Sequence, residues 1–267
     1  MIIIGEKING AIPSVAKAIA ERDADWIRDL AKRQSDAGAD YIDVCASVTE
    51  GEVQTLKWLI DLVQEVTDTP ICIDSPSPQA IVEAIPFCKK PGIVNSVSLE
   101  GNKIDIIFPA IADTKWECIA LLCDSNKISD SVESRIKVLD NIMEKAKEFG
   151  IASSRIHVDP MVFSVGMNPE SFLGFSEVTR RVKELYPSAH VTSGLSNISF
   201  GLPSRKTINQ AFLIMAMQAG MDSAIIDPTN RDIIGSIFAS EALLGIDEYC
   251  IEYIGAYNDD RFGVKKK

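Results

Sequence analysis

The chain has 267 residues, 46% of them apolar and 24% charged, the size and composition of one barrel-sized folded domain and not of a disordered chain. Thirty-eight acidic side chains against 27 basic ones leave a net charge of −11, which argues against nucleic acid and anionic membrane as partners. No apolar run approaches the roughly 20 residues of a membrane span, and the apolar start meets Glu6 and Lys7 at once, so no signal peptide is expected.

Ile2, Ile3 and Ile4 read as a first strand that runs into Gly5-Glu6-Lys7-Ile8-Asn9-Gly10. Residues 22–37 predict a helix with Trp26, Ile27, Leu30 and Ala31 on one face, stopped by Gly38. Residues 41–45 form a second strand, and Val53, Leu56, Ile60 and Val63 space a second helix. The strand around Cys72 follows, then a short helix over 79–85, a strand at Ile93-Val94 and a helix over 103–112. A fifth strand covers 117–122. Asp130 and Glu133 resemble a capping pair for a helix carrying Ile136, Leu139, Met143 and Ala146, which Phe149-Gly150 stops. Then come a strand at Ile156-His157-Val158, a helix over 169–185, a strand at His190-Val191-Thr192 and a helix over 208–219. A strand over 223–226 and a helix over 233–244 finish the series.

Strand and helix alternate eight times, which predicts a (β/α)8 TIM barrel forming one domain over residues 1–267. The tail from Asp247 onward, with Tyr249, Tyr253 and Tyr257, is free to pack on the barrel or on a second subunit. Its terminal lysines 265–267 are expected to be solvated.

Six cysteines lack a C-x-x-C or Cys-His spacing, so they read as reduced thiols of a cytoplasmic protein, with neither a disulfide framework nor a zinc site.

Several strands end in one carboxylate or carboxamide: Asn9, Asp43, Asp74, Asn95, Asp159 and Asp227. The strand at His190 ends instead in Gly194-Leu195-Ser196-Asn197-Ile198-Ser199. In a parallel barrel these ends share one mouth, where the active site lies. With two histidines and no H-x-H or H-E-x-x-H motif, no bound metal is expected. No lysine ends an interior strand to form a Schiff base, Lys7 being the near miss, and Asp227 would repel phosphate. A flat heterocycle fits better. One carboxylate accepts the adjacent N–H donors of a pterin's amino-pyrimidinone edge, and asparagines match its mixed donors and acceptors.

At these residues the chain resembles the methyltetrahydrofolate:corrinoid protein methyltransferases. These are relatives of the pterin-binding barrel of cobalamin-dependent methionine synthase and, more distantly, of dihydropteroate synthase. Ile4-Gly5-Glu6-Lys7-Ile8-Asn9-Gly10, Cys72-Ile73-Asp74-Ser75, Val94-Asn95-Ser96, Val158-Asp159-Pro160 and residues 194–199 carry the likeness, which continues through Arg205 and the helix at 212–217. The resemblance implies a pterin-binding, dihydropteroate synthase-like TIM barrel. It implies methyl transfer, in either direction, between N5 of tetrahydrofolate and the cobalt of a corrinoid held by a separate protein. No D-x-H-x-x-G corrinoid motif occurs here.

By the same likeness, Asp159 reads the pterin donor edge, Asn95 contacts the ring, Asp74 joins the network near N5 and Asn197 faces N5. Gly194 and Ser196 line the pterin site; Glu6, Asn9, Asp43, Arg205 and Asp227 are further candidates. A homodimer is also implied. Two positions depart from the family's pattern: Cys45 stands where Asn is expected, and Phe200 where acetogenic members carry Gln. A dihydropteroate synthase is the alternative enzyme, against which an S-x-R run on the last strand and an early N-x-T-x-D-S-F loop are missing. A non-catalytic folate-binding subunit of a corrinoid complex is the alternative outside catalysis.

Overall fold

Eight parallel strands in the order β7-β6-β5-β4-β3-β2-β1-β8 form the centre of the protein. The computed structural model describes residues 1–48, 50–124 and 131–264. The elements are β1 (Ile2–Asn9), α1 (Pro13–Glu21), α2 (Ala24–Asp36), β2 (Tyr41–Cys45), α3 (Glu52–Val66), β3 (Ile71–Asp74), α4 (Pro78–Ala84), β4 (Ile93–Leu99) and α5 (Lys103–Ile111). They continue with β5 (Glu117–Asp124), α6 (Val132–Glu148), β6 (Ile156–Asp159), α7 (Ser171–Leu185), β7 (His190–Val191), α8 (Arg205–Ala219), β8 (Ser223–Ile226), α9 (Arg231–Leu243) and α10 (Ile251–Asn258).

β7 is only two residues long, yet the barrel closes beside it. Asp222 N–H donates to the Val191 carbonyl at 3.2 Å and Ile225 N–H to the Ser193 carbonyl at 3.0 Å, and Gly194 bridges Ile225.

Strand alternation divides the core in two. Ile42, Val44, Ile71, Ile73, Val94, Ala120, Val158, Val191 and Ala224 face the helices in one large cluster. Ile4, Cys72, Ile93 and Ile119 form a separate buried cluster inside the barrel, with Tyr41, Leu121 and Ile225 against it. This apolar layer seals the mouth from the other end, where the interior is polar. There the wholly buried His157 bonds Glu117 Oε2 at 2.7 Å and Ser223 Oγ at 3.0 Å and stacks on His190 at 4.8 Å. His190 in turn meets Asp222 at 3.1 Å.

Where sequence patterning and structure part, local chemistry explains it. Helix α1 is an addition: Pro13 opens it, and Val15, Ala18 and Ile19 bury one stripe. Helix α2 starts at Ala24, later than the predicted residue 22, because the Asp23 side chain caps the Trp26 N–H. Asp130 of the predicted capping pair lies outside the described residues; the Ser131 hydroxyl accepts the Ser134 N–H at the start of α6. The tail folds into α10, and Tyr253 lies 4.9 Å from the Phe262 ring. The lysines 265–267 also lie outside the described residues.

Candidate active site

Register carries the polar ends of β1 to β4 to one level of the mouth. Cα partners run from Asn9 to Cys45, from Cys45 to Asp74 and from Asp74 to Asn95 across β1, β2, β3 and β4. Asp159 aligns with Leu121 on β5. An irregularity between Gly5 and Ile8 inserts one extra residue into β1, so Glu6 and Asn9 both belong to the mouth.

Asp43 is 2% exposed, and its Oδ1 has no hydrogen-bond partner among the described residues. Burial, then the Asp74 charge, pushes its carboxyl well above the usual carboxylate range, and Cys72 and Asn95 pull it back. Asp74 is pushed up to about 6, chiefly by burial; the Cys45 thiol opposes this and the Glu52 charge adds to it. Glu6 rises to about 7, chiefly by burial and then by Asp227, against Lys7 and Arg205. The mouth therefore holds a set of acids that exchange protons near neutrality. Burial also pushes the Cys45 thiol up to about 12, so it stays protonated, and its sulfur lies 3.1 Å from Ser47 Oγ. A thiol in the place of the expected Asn keeps a donor beside Asp74.

Asp159 ends β6 at 8% exposure. Its Oδ1 accepts the Met161 N–H at 2.8 Å, and Oδ2 has no hydrogen-bond partner among the described residues. Burial pushes this carboxyl up to about 6, offset by the Met161 N–H and by Arg135.

After β7 the chain makes a 3-10 turn, Leu195–Ser199, with Asn197 exposed on it. A side-chain carbon at Gly194 would lie 3.1 Å from Asn197 Nδ2, so glycine is what leaves room for the carboxamide. Among the described residues the Asn197 side chain makes no hydrogen bond to its own turn, the usual local role of a turn Asn. Arg205 braces this turn: Nη2 donates to the Ser196 carbonyl at 2.7 Å and Nε to Ser199 Oγ at 3.1 Å. Ser196 thus contributes a pinned carbonyl.

Other candidates have local partners. Asn9 Oδ1 accepts the Ala11 N–H at 2.9 Å and the Ser47 hydroxyl at 3.3 Å. Asp227 accepts both donors of Thr229 through Oδ1 and pairs Lys7 at 3.3 Å through Oδ2. Sequence reasoning did not single out Arg135 or Glu52, whose Oε1 accepts a hydrogen bond from the Ser75 hydroxyl at 2.7 Å. The signal for Arg135 was its spacing from Leu139, Ile142 and Ala146 on the buried stripe of α6. Among the described residues no cluster of His, Cys, Asp and Glu could hold a metal ion.

The sequence and the fold have known counterparts. The chain is 50% identical over 266 residues to a methylcorrinoid:tetrahydrofolate methyltransferase of Eubacterium limosum, covering 98% of each chain. It is 28% identical over 250 residues to methionine synthase of Mycobacterium leprae, covering 86% of this chain but 21% of that protein. The fold matches dihydropteroate synthase from Xanthomonas albilineans in complex with 7,8-dihydropteroate. That match has a TM-score of 0.68 at 20% identity, over 91% of this chain and 92% of that one. Residues 6–227, the span from the first mouth carboxylate to the last, match the pterin binding enzyme family, and with an end-to-end relative at 50% identity the chain belongs to that family.

Proposed function

We propose that this protein is a methyltransferase that moves a methyl group between the cobalt of a corrinoid on a separate protein and N5 of tetrahydrofolate. The end-to-end identity to the Eubacterium limosum enzyme carries this reading, and that relative's name points to transfer from methylcorrinoid to tetrahydrofolate. The mouth chemistry supports it. Asp159 offers Oδ2, and a second lone pair on Oδ1, to adjacent pterin donors. Asn95 matches the ring edge, while Gly194 and the turn behind it line the opposite side.

The N5 lone pair takes the methyl carbon, the carbon–cobalt bond breaks with its electron pair left on cobalt, and N5 releases a proton. The Asn197 carboxamide oxygen accepts the N5–H bond as charge develops there, without itself titrating. Asp74 and Glu6, poised near neutrality, take up the released proton. In the reverse direction the same groups supply it.

A purified methylated corrinoid protein, mixed with tetrahydrofolate and this protein, tests the reading. Wild type forms methyltetrahydrofolate, and Asn197→Ala lowers turnover about 10²-fold with pterin affinity kept within a few-fold. Turnover near wild type, on protein shown folded by calorimetry, refutes the role of Asn197. No transfer by wild type leaves a folate-binding subunit.

The reading includes a homodimer and a cytoplasmic setting. Leu243, Ile246, Tyr249, Ile251 and Ile254 are exposed around α9 and α10, an apolar face suited to a second copy. Light scattering of Ile251→Asp checks this; the expected result is a monomer. Buried thiols at Cys45, Cys72, Cys118 and Cys123 suit a reducing compartment.

A further inference from the structure

Helix α6 buries an arginine behind the mouth. Arg135 is 1% exposed, and its Nη1 donates to the Pro160 carbonyl at 3.1 Å and the Met161 carbonyl at 3.2 Å. These are the two residues that follow Asp159, and Met161 is the one whose N–H holds Asp159 Oδ1. Met161 sits at φ 65°, a left-handed conformation that a side-chain-bearing residue holds only when its surroundings impose it. One guanidinium thus grips the backbone that aims the carboxylate. Gly174 on α7 flanks it, its added carbon falling 3.9 Å from Nη1.

We propose that Arg135 is a positioning residue for pterin recognition: from outside the barrel it fixes the Asp159-Pro160-Met161 turn and holds a buried positive charge behind the carboxylate that meets the ligand's N–H donors. The inference rests on the reading of Asp159 given above. The Arg135 charge lowers the Asp159 carboxyl against the rise that burial causes. Burying an arginine so completely is costly unless its charge and donors are used. Here Nη1 is used on the segment that presents Asp159. A neutral carboxyl would present a proton to a donor edge, so binding fails on the acid side of the Asp159 titration. Losing the nearby cation moves that acid limb to higher pH.

Calorimetric titration of methyltetrahydrofolate from pH 5 to 8.5 tests this on wild type, Arg135→Gln, Arg135→Lys and Asp159→Asn. Gln keeps a donor and loses the charge, and its acid limb is expected to move up by about one pH unit, with affinity lower by about 2- to 10-fold at pH 7. Lys keeps a shorter-reaching charge and falls between Gln and wild type. At pH 8.5 the variants converge toward wild type. If Gln does not fold, the Lys limb decides, and an upward shift of at least about 0.3 pH unit supports the proposal. Limbs that coincide with wild type, even with a lower Tm, overturn it and leave Arg135 structural. In Asp159→Asn, Oδ1 takes the Met161 N–H and the NH2 faces the pterin donors, so binding is expected to be lost. Wild-type affinity in that variant overturns the reading of Asp159 itself. Weak binding there with unmoved Arg135 limbs overturns the Arg135 proposal alone.

Discussion

At the scale of the residue, the mouth trades stability for chemistry. Asp159 has its carboxyl raised to about 6 by burial. A carboxyl raised in the folded state contributes stability below its unfolded value near 3.8 and loses it as pH rises through the folded value. The displacement corresponds to about 3 kcal/mol of cost once the group is ionised. Asp159→Asn removes that ionisation, so its Tm relative to wild type is expected to rise by several degrees between pH 5 and pH 8. Differential scanning calorimetry at the two pH values checks this, and a Tm difference independent of pH counts against it. The same reasoning covers Glu6 and Asp74, also held above their ordinary values mainly by burial. Carboxyls buried at the mouth for the proposed chemistry destabilise the empty site near neutrality.

At the scale of the element, the turn after β7 carries Asn197 without being part of a strand or a long helix. Its rigidity comes from outside, through the Arg205 bonds to Ser196 and Ser199 and through the Ser164 hydroxyl, which donates to the Phe200 carbonyl at 2.6 Å. The Val165 N–H donates to the Ile198 carbonyl at 3.0 Å, so the loop after β6 and the turn after β7 are one unit. Arg205 lies at the first turn of α8, which fixes its base while its fork reaches back. Arg205→Ala is expected to lower turnover about tenfold and pterin affinity by less, because the carboxamide is mispositioned in the transition state more than in the bound complex. Steady-state kinetics with a methylated corrinoid protein and calorimetric binding separate the two effects. Equal losses in turnover and binding would make Arg205 a simple binding residue.

At the scale of the whole molecule, the barrel has two polar ends separated by an apolar layer. The end opposite the mouth is ordered by hydrogen bonds and reads as stability, in line with the division of labour in such barrels. Burial lowers the His157 pKa most; Glu117 and Asp222 raise it and His190 lowers it. Tyr41 reaches Glu117 at 3.4 Å, which completes the groups facing it. A histidine whose folded value is depressed contributes stability above its unfolded value near 6.5 and loses it as pH falls below that. The stability advantage of wild type over His157→Gln is therefore expected to shrink from pH 7.5 to pH 5.5. Urea unfolding at both pH values checks it; a constant or widening gap would mean that His157 is held as the imidazolium.

The sequence by itself determined the alternation of strand and helix and the residue that ends each strand, because side-chain period and helix-stop glycines are local properties. Gly38, Gly150 and Gly220 all take positive φ where the helices were expected to stop. Asp74, Asn95, Asp159 and Asn197 stand out in the sequence for the same reason: each lies in a short run with its own signature. Tertiary structure alone decided the rest. The extra residue in β1 brings Glu6 and Asn9 to the mouth together, and no local pattern marks it. Asn9, Asp227 and Arg205 are further candidates in sequence, and only the fold shows the partners each of them has within the protein. Arg135 stands 24 positions before Asp159 in the chain, and only the packing of α6 on the end of β6 brings its charge to that carboxylate. Proton affinities depend on burial and neighbouring charge, quantities that exist only after distant segments have met.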